Sequence, residues 1–272
     1  TMSYNEFLNA IGCFGYRNFQ ETWLPLEKFY TVSGEYFEKV FKIRRKSCIG
    51  CVNRCMSMGA VKAGPYKAVG EVDYEVVTNL LTGCGIHDYG KGLSIASLND
   101  RLGLDVISCG KTVSFAKECY QRGILTKEEV DGLDLTWENV DAQMELMRKI
   151  AYREGIGDIL AEGTKRAAER IGKGSEKYAM YGALGNEISG SDARTPDWPW
   201  EIDYTTGDRG SCHNAGESPE IQNMRSVMDS LVVCFFVTTA AYGAVIDSSL
   251  HVMMLNAATG WNVTMDEAKK IG

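Results

Sequence analysis

Val140-Asp-Ala-Gln-Met144-Glu-Leu-Met147-Arg-Lys-Ile-Ala151 places Val140, Met144, Met147 and Ala151 at steps of four, three and four. Those steps return to one side of an α-helix, so the stretch reads as a helix with one apolar stripe. Ile156, Leu160, Gly163, Ala167 and Ile171 repeat the pattern, and Gly172 is a fitting stop. Glu71 to Leu81 and Thr112 to Gln121 also read as helices. Thr126-Lys-Glu-Glu129 is a capping box, in which the Thr oxygen and the Glu carboxylate satisfy amides at a helix start. Period-two strands bounded by turn residues are scarce, and only Leu231 to Val237, a short β-branched run, is ambiguous. Residues 182–218, rich in Gly, Asp, Ser and Pro, read as irregular. The predicted fold is all-α and multihelical.

The chain has 272 residues, 44% hydrophobic and 24% charged, which is globular composition with room for a sizeable core. Its net charge of −7 disfavours a nucleic-acid partner, and Lys42-Ile-Arg-Arg-Lys46 is its one basic run. No signal peptide is expected at Thr1-Met-Ser-Tyr. The longest apolar run, Leu231 to Ile246, contains Thr238 and Thr239 and falls short of a membrane span. Nine cysteines without a secreted disulfide pattern suit a reducing, anaerobic cytoplasm. Thr264-Met-Asp-Glu267 is a second capping box with barely two turns behind it, which predicts a chain cut short from something larger.

Three of the cysteines fall in Cys48-Ile-Gly-Cys51-Val-Asn-Arg-Cys55. Three thiols so close cannot all pair as disulfides, but a tight turn can point them at one metal centre. The spacing supplies three corners of an iron–sulfur cluster and leaves one ligand to come from elsewhere. A zinc site and an unmetallated group of thiols stay open as alternatives. Asp100-Arg-Leu-Gly103-Leu104-Asp105 follows a helical stretch. Read plainly, Gly103 ends a helix and Leu104 caps the core. Read chemically, Asp100 or Asp105 accepts hydrogen bonds from an amine-bearing ring, and Gly103 lets backbone come close. Asp229-Ser-Leu-Val232-Val233-Cys234 sets an aspartate five residues before a cysteine, and Cys234 is a natural fourth cluster ligand.

Taken with Arg209-Gly-Ser-Cys-His213, these motifs stand in an order that resembles the tungsten-containing aldehyde ferredoxin oxidoreductase family. The resemblance spans residues 40–270. It implies the multihelical fold of that family's C-terminal domains. A first domain, residues 1–135, would hold the iron–sulfur loop and the first pterin motif, and a second, residues 136–272, the second pterin motif. It also implies a [4Fe–4S] cluster on Cys48, Cys51, Cys55 and Cys234. A tungsten or molybdenum bis-pterin would be held at Asp100, Gly103, Leu104, Asp105 and Asp229. Glu75 and His213 match the family's catalytic positions, with Asp73 and Glu71 competing for the carboxylate role. The second motif departs from the family, reading Val232-Val233 where Gly-Leu is favoured.

The activity implied is oxidation of aldehydes to carboxylic acids, with electrons passed through the cluster to ferredoxin. Rival readings are the tungsten subunit that reduces aromatic acyl-thioesters, a non-catalytic iron–sulfur electron-transfer protein, and a zinc-stapled helical module. The resemblance further implies a missing amino-terminal β-rich domain and allows a homodimer. Cys13, Cys84, Cys109, Cys119 and Cys212 read as buried small hydrophobes. His87 and His251 carry no assigned role.

Overall fold

The computed structural model describes residues 4–51, 53–192, 194, 204–207, 210, 219–234, 236 and 248–271. The chain divides into two compact units, Thr1–His213 and Asn214–Gly272. In the first, three short helices, α1 (Tyr4–Ala10), α2 (Leu26–Tyr30) and α3 (Gly34–Val40), lead into three strands. These are β1 (Lys42–Lys46), β2 (Met56–Val61) and β3 (Ala68–Val72), antiparallel in the order β1-β2-β3. Lys46 pairs with Met56, so residues 47–55, with their three cysteines, form the loop of the β1–β2 hairpin.

The sheet corrects the all-α expectation. Its strands escape a periodicity reading because four of the five β1 residues are exposed and β2 buries only Gly59, so no alternation is written into either. The run of basic residues along β1 is the charged kind of edge that keeps a sheet from pairing further. The helix expected over Glu71 to Leu81 is also corrected. Glu71 and Val72 end β3, and only Tyr74 onward is helical.

Val76–Leu81 winds as a π-helix, followed by a 3₁₀ turn at Thr82–Cys84. A π-turn is wider than an α-turn, and its neighbours have been cut back to admit it. A Cβ on Gly92 would lie 2.4 Å from Leu81, on Gly110 2.7 Å from the Asn79 backbone, and on Gly190 1.8 Å from Thr78 Oγ1. The helices that follow are α4 (Tyr89–Leu102), α5 (Val106–Gln121), α6 (Val140–Tyr152), α7 (Ile156–Leu160) and α8 (Thr164–Ile171), with a 3₁₀ turn at Ser175–Tyr178. The periodicity over 140–151 is therefore met by α6, and that over 156–171 by two helices broken before Gly163, whose φ is +85°. Thr126 and Glu129 do bond each other's amides, but they close a turn rather than open a helix.

α5 is the axis of this unit. Residues Cys109 to Cys119 are buried without a break, so the helix is covered on every side. Against it pack Leu80 and Leu81 of the π-helix and Leu146 of α6, all fully buried. The interior of α5 also holds charge. Lys117 Nζ donates to Cys84 O at 3.1 Å, Trp137 O at 2.8 Å and Gln143 Oε1 at 2.9 Å, and Gln143 in turn donates to Leu80 O at 2.8 Å. Three acceptors use all three ammonium protons, which makes the burial of Lys117 tolerable.

The second unit contains α9 (Pro219–Ser230), α10 (Ser248–Thr259) and α11 (Met265–Ile271). Here the second capping box does start a helix. Glu267 N donates to Thr264 Oγ1 at 3.2 Å and Thr264 N to Glu267 Oε2 at 2.9 Å. Among the described residues, no helix is long and apolar enough to cross a membrane.

Candidate active site

Of the three carboxylates competing near the cysteine loop, each has a different setting. Glu71 stands on β3 and Asp73 is exposed, its Oδ1 accepting Val76 N at 2.9 Å to open the π-helix. Glu75 is the one folded inward. Its Oε2 accepts from Asn79 Nδ2 at 2.6 Å and from Gly190 N at 3.0 Å. Burial pushes its carboxyl up to about 7, against the pull of those two donors and of the Lys111 charge. A carboxyl poised near neutrality is suited to taking and giving a proton at physiological pH. Of the three carboxylates, Glu75 is the one whose hydrogen bonds tie it to the π-helix and to the segment at Gly190.

Asp100 ends α4 with its side chain exposed. Its carboxyl is raised by partial burial and by Asp73, while Lys46 pulls it down. Glu71 is raised for the same reasons, with Lys46 again opposing. Glu71 pairs with Met58 on β2, two residues along from Met56, whose pairing with Lys46 closes the cysteine loop. Gly103 adopts φ +68° and Leu104 packs against the core, as the plain reading of that motif requires. Asp105 caps α5, its Oδ2 accepting Ser108 N at 2.7 Å.

The two aspartate motifs fold alike. In the first, Gly103 N donates to Asp100 O at 3.1 Å and Leu104 N to Asn99 O at 3.2 Å. In the second, Val232 N donates to Asp229 O at 3.0 Å and Val233 N to Met228 O at 2.9 Å. Both are helix ends closed by a left-handed residue, and Val232 takes φ +58° where the first motif has glycine. Valine there is strained, so the departure from Gly is one of residue and not of backbone form. Asp229 is exposed at the end of α9, as Asp100 is at the end of α4.

The cysteines are less convergent than their spacing suggests. Cys48 and Cys55 are exposed and Cys51 is half-buried. Cys51 N donates to Cys48 O at 3.1 Å, and Asn53 N donates to Cys51 Sγ at 3.4 Å. Gly50 and Arg54 take left-handed backbone, φ +76° and +49°, which wraps the loop tightly. Among the described residues, no three His, Cys, Asp or Glu side chains converge to hold a metal ion. Cys234 belongs to the second unit and is exposed. His213, Arg209 and Cys212 lie outside the described residues. By chemistry the donor set fits an iron–sulfur cluster, since accessible thiols on one short loop are what such a cluster takes. Cys13, Cys84, Cys109 and Cys119 are buried. Cys84, whose thiol burial raises to about 11, donates to Asn79 O at 3.2 Å.

A family model described as "Aldehyde ferredoxin oxidoreductase, domains 2 & 3" matches residues 1–272. The chain belongs to the aldehyde ferredoxin oxidoreductase family. It is 32% identical over 296 residues to a tungsten-containing aldehyde ferredoxin oxidoreductase of Pyrococcus furiosus, covering 98% of this chain and 46% of that protein. It is 34% identical over 266 residues to the WOR-like subunit of an aliphatic sulfonate oxidoreductase from the same organism, covering 92% of this chain and 40% of that one. Among solved structures, the active-site complex BamBC of benzoyl-coenzyme A reductase, bound to 1,5-dienoyl-CoA, is similar with a TM-score of 0.62. The identity there is 25%, over 76% of this chain and 31% of that chain. The chain thus spans less than half the length of the curated relatives it matches.

Three participants in this site were not foreseen from sequence: Asn79, Gly190 and Lys111. Asn79 lies one helical turn after Glu75, a spacing at which an amide can reach back. Gly190 has no local signal, because it reaches Glu75 across 115 residues. Lys111 was legible only as a lysine inside an apolar helix.

Proposed function

We propose that this chain is the cofactor- and cluster-binding helical part of a tungsten-pterin oxidoreductase that oxidises an aldehyde to a carboxylic acid. The balance is aldehyde plus water giving carboxylic acid, two protons and two electrons. The metal–pterin, when bound, supplies the two-electron chemistry, and the protein orients it and keeps water out. Asp100 and Asp229 accept hydrogen bonds from the two pterins at helix ends of the same build. Glu75 takes up a released proton, and His213 donates a hydrogen bond to the substrate oxygen. Cys48, Cys51, Cys55 and Cys234 would hold a [4Fe–4S] cluster, which would supply one-electron transfer to a ferredoxin. The observation that carries this reading is the pair of matched aspartate motifs, with Gly103 and Val232 in the same left-handed conformation.

Metal content and visible absorption of protein purified without oxygen test it. About four irons per chain with a broad brown absorption, and tungsten or molybdenum beside them, are expected. Zinc alone, on colourless protein, overturns the proposal. A second reading, reduction of an aromatic acyl-thioester, is favoured by the likeness to the benzoyl-coenzyme A reductase complex. Assay of the loaded protein with an aldehyde and with an aromatic acyl-thioester separates the two.

A further inference from the structure

A carboxyl has two oxygens, and one oxygen of Glu75 takes two donors. Asn79 Nδ2 at 2.6 Å and Gly190 N at 3.0 Å both donate to Oε2. Which way the Asn79 amide points is settled by a third oxygen. Its Nδ2 also donates to Glu75 O at 2.9 Å, and a backbone carbonyl can only accept. Turning the amide over would set Oδ1 against that carbonyl, so the amide presents N–H to Glu75 whatever the carboxyl carries. This aim has a cost. Asn79 Oδ1 is buried and has no hydrogen-bond partner among the described residues. The π-winding serves the arrangement. In an α-helix the Glu75 carbonyl would take the backbone N–H of residue 79, whereas a π-turn passes it to residue 80. The side chain of Asn79 then reaches the carbonyl and the carboxyl together. α5 packs hard against it, since a Cβ on Gly110 would lie 2.7 Å from Asn79 Cβ.

Gly190 is fixed as firmly. A Cβ at this position would lie 1.8 Å from Thr78 Oγ1, so only glycine brings the N–H up to Glu75. The residues on either side of it are tied down. Ser189 Oγ hydrogen-bonds Tyr204 Oη, and Tyr74 Oη hydrogen-bonds Ser191 Oγ at 2.7 Å. Tyr204 Oη also donates to Ser191 O at 3.1 Å, and Asp192 N donates to Cys13 O at 3.1 Å. Both donors to Oε2 are therefore set by the fold before any proton arrives.

A carboxylate oxygen, or the carbonyl oxygen of an acid, accepts two N–H donors on its lone pairs. A hydroxyl oxygen in the same place would aim its own proton at one of them. We propose that Asn79 and Gly190 are positioning residues that select the reactive oxygen of Glu75: both hold Oε2 as an acceptor, so the carboxyl takes and gives its proton at Oε1. A proton released by the oxidation bonds to Oε1, and Oε2 becomes the carbonyl oxygen. The same Oε1–H bond breaks when the proton passes on to water. The charged groups that act on Glu75 are Lys111 from α5 and Asp73 from its own segment. These bear on how readily the carboxyl ionises, and the two N–H donors decide where.

The inference rests on the reading of Glu75 as the proton-accepting group, but its test needs no metal. Infrared difference spectra of the full chain are taken between pH values on either side of about 7, where the Glu75 carboxyl ionises. They show the C=O stretch of each carboxyl that gains a proton, and the band lost in Glu75→Gln belongs to Glu75. A carbonyl that accepts two hydrogen bonds stretches at lower frequency than one that accepts none. The Glu75 band is therefore expected low in the unaltered protein. Asn79→Leu keeps the shape and removes the donor, so the band is expected to move up and its midpoint to rise by ~1 unit. A band that stays in place in Asn79→Leu overturns the proposal. So does a band in the unaltered protein at the frequency of an unbonded carbonyl, or no band that Glu75→Gln removes. Those two results stand even if the Leu variant fails to fold. Aldehyde turnover that survives Glu75→Gln in the loaded enzyme would remove Glu75 from the function proposed above and leave this assignment of its proton intact.

Discussion

Glu75 and Val232 are the two residues at which local chemistry is set against local cost. Glu75 has its carboxyl raised from 4.5 to about 7, chiefly by burial. The folded chain thus keeps a proton that the unfolded chain has given up. The stabilisation linked to that proton is complete below pH 4.5 and is lost as pH climbs to about 7. Its size over that window is at most about 3 kcal/mol. Glu75→Gln keeps an oxygen for Asn79 and Gly190 but cannot ionise. Urea unfolding at a series of pH values should show the native protein losing stability relative to the variant between those two points. Parallel curves would mean that the Glu75 carboxyl is not raised. Val232 is the opposite case, a β-branched residue in left-handed backbone and 92% exposed, so no packing repays its strain. Relief of left-handed strain is worth ~1–2 kcal/mol, and the flexibility of glycine in the unfolded chain takes back about half. Val232→Gly should therefore stabilise by about 1 kcal/mol in urea or thermal unfolding. A loss of stability would show that the valine side chain is held by something that repays its conformation.

At the level of elements, the helices written as one apolar stripe were legible and the rest was not. α6 and the capping box at Thr264 follow from spacing alone, because each depends on residues three or four apart in sequence. The sheet was illegible because β1 is charged and exposed and β2 buries only a glycine, so neither carries an alternation to read. The π-helix was misread as an ordinary helix that started too early. What makes it wide is the glycines at 92, 110 and 190, which come from three other segments. The site was half legible for the same reason. The cysteine loop and the two aspartate motifs are local patterns, whereas the partners of Glu75 arrive from α5 and from the segment at 189–192. α5 shows how far tertiary context can override a pattern, since a helix buried on all sides carries Lys111, Lys117 and Glu118 inside. Lys117 joins the 3₁₀ turn at Cys84, the segment at Trp137 and α6 at Gln143 through one ammonium. Lys117→Met fits the space but leaves three buried oxygens without that donor. A destabilisation of about 3 kcal/mol is expected from denaturant unfolding. A neutral effect would mean that water takes over those oxygens.

For the whole molecule, the enclosed interior of the first unit stands in contrast to its exposed cysteine loop. The frame around Glu75 is rigid by construction: a π-helix enclosed by glycines and a central helix covered on every side. The cysteine loop is built otherwise, exposed at the end of a hairpin and shaped by left-handed residues at 50 and 54. A loop of this kind can tighten around a cluster without disturbing the core, so cluster loading and folding of the first unit should be separable. Cys48→Ser is accordingly expected to leave the helical circular dichroism and the thermal midpoint of the iron-free protein unchanged, while the variant purified without oxygen loses the brown absorption expected of the unaltered chain. Cys234 tests the ligand set further. If it supplies the fourth thiolate, Cys234→Ser leaves a cluster held at three corners, and iron should fall from about four per chain to about three or fewer. Full iron retention in Cys234→Ser would assign the fourth corner to another group, and the second aspartate motif would then stand without a cysteine function at its end.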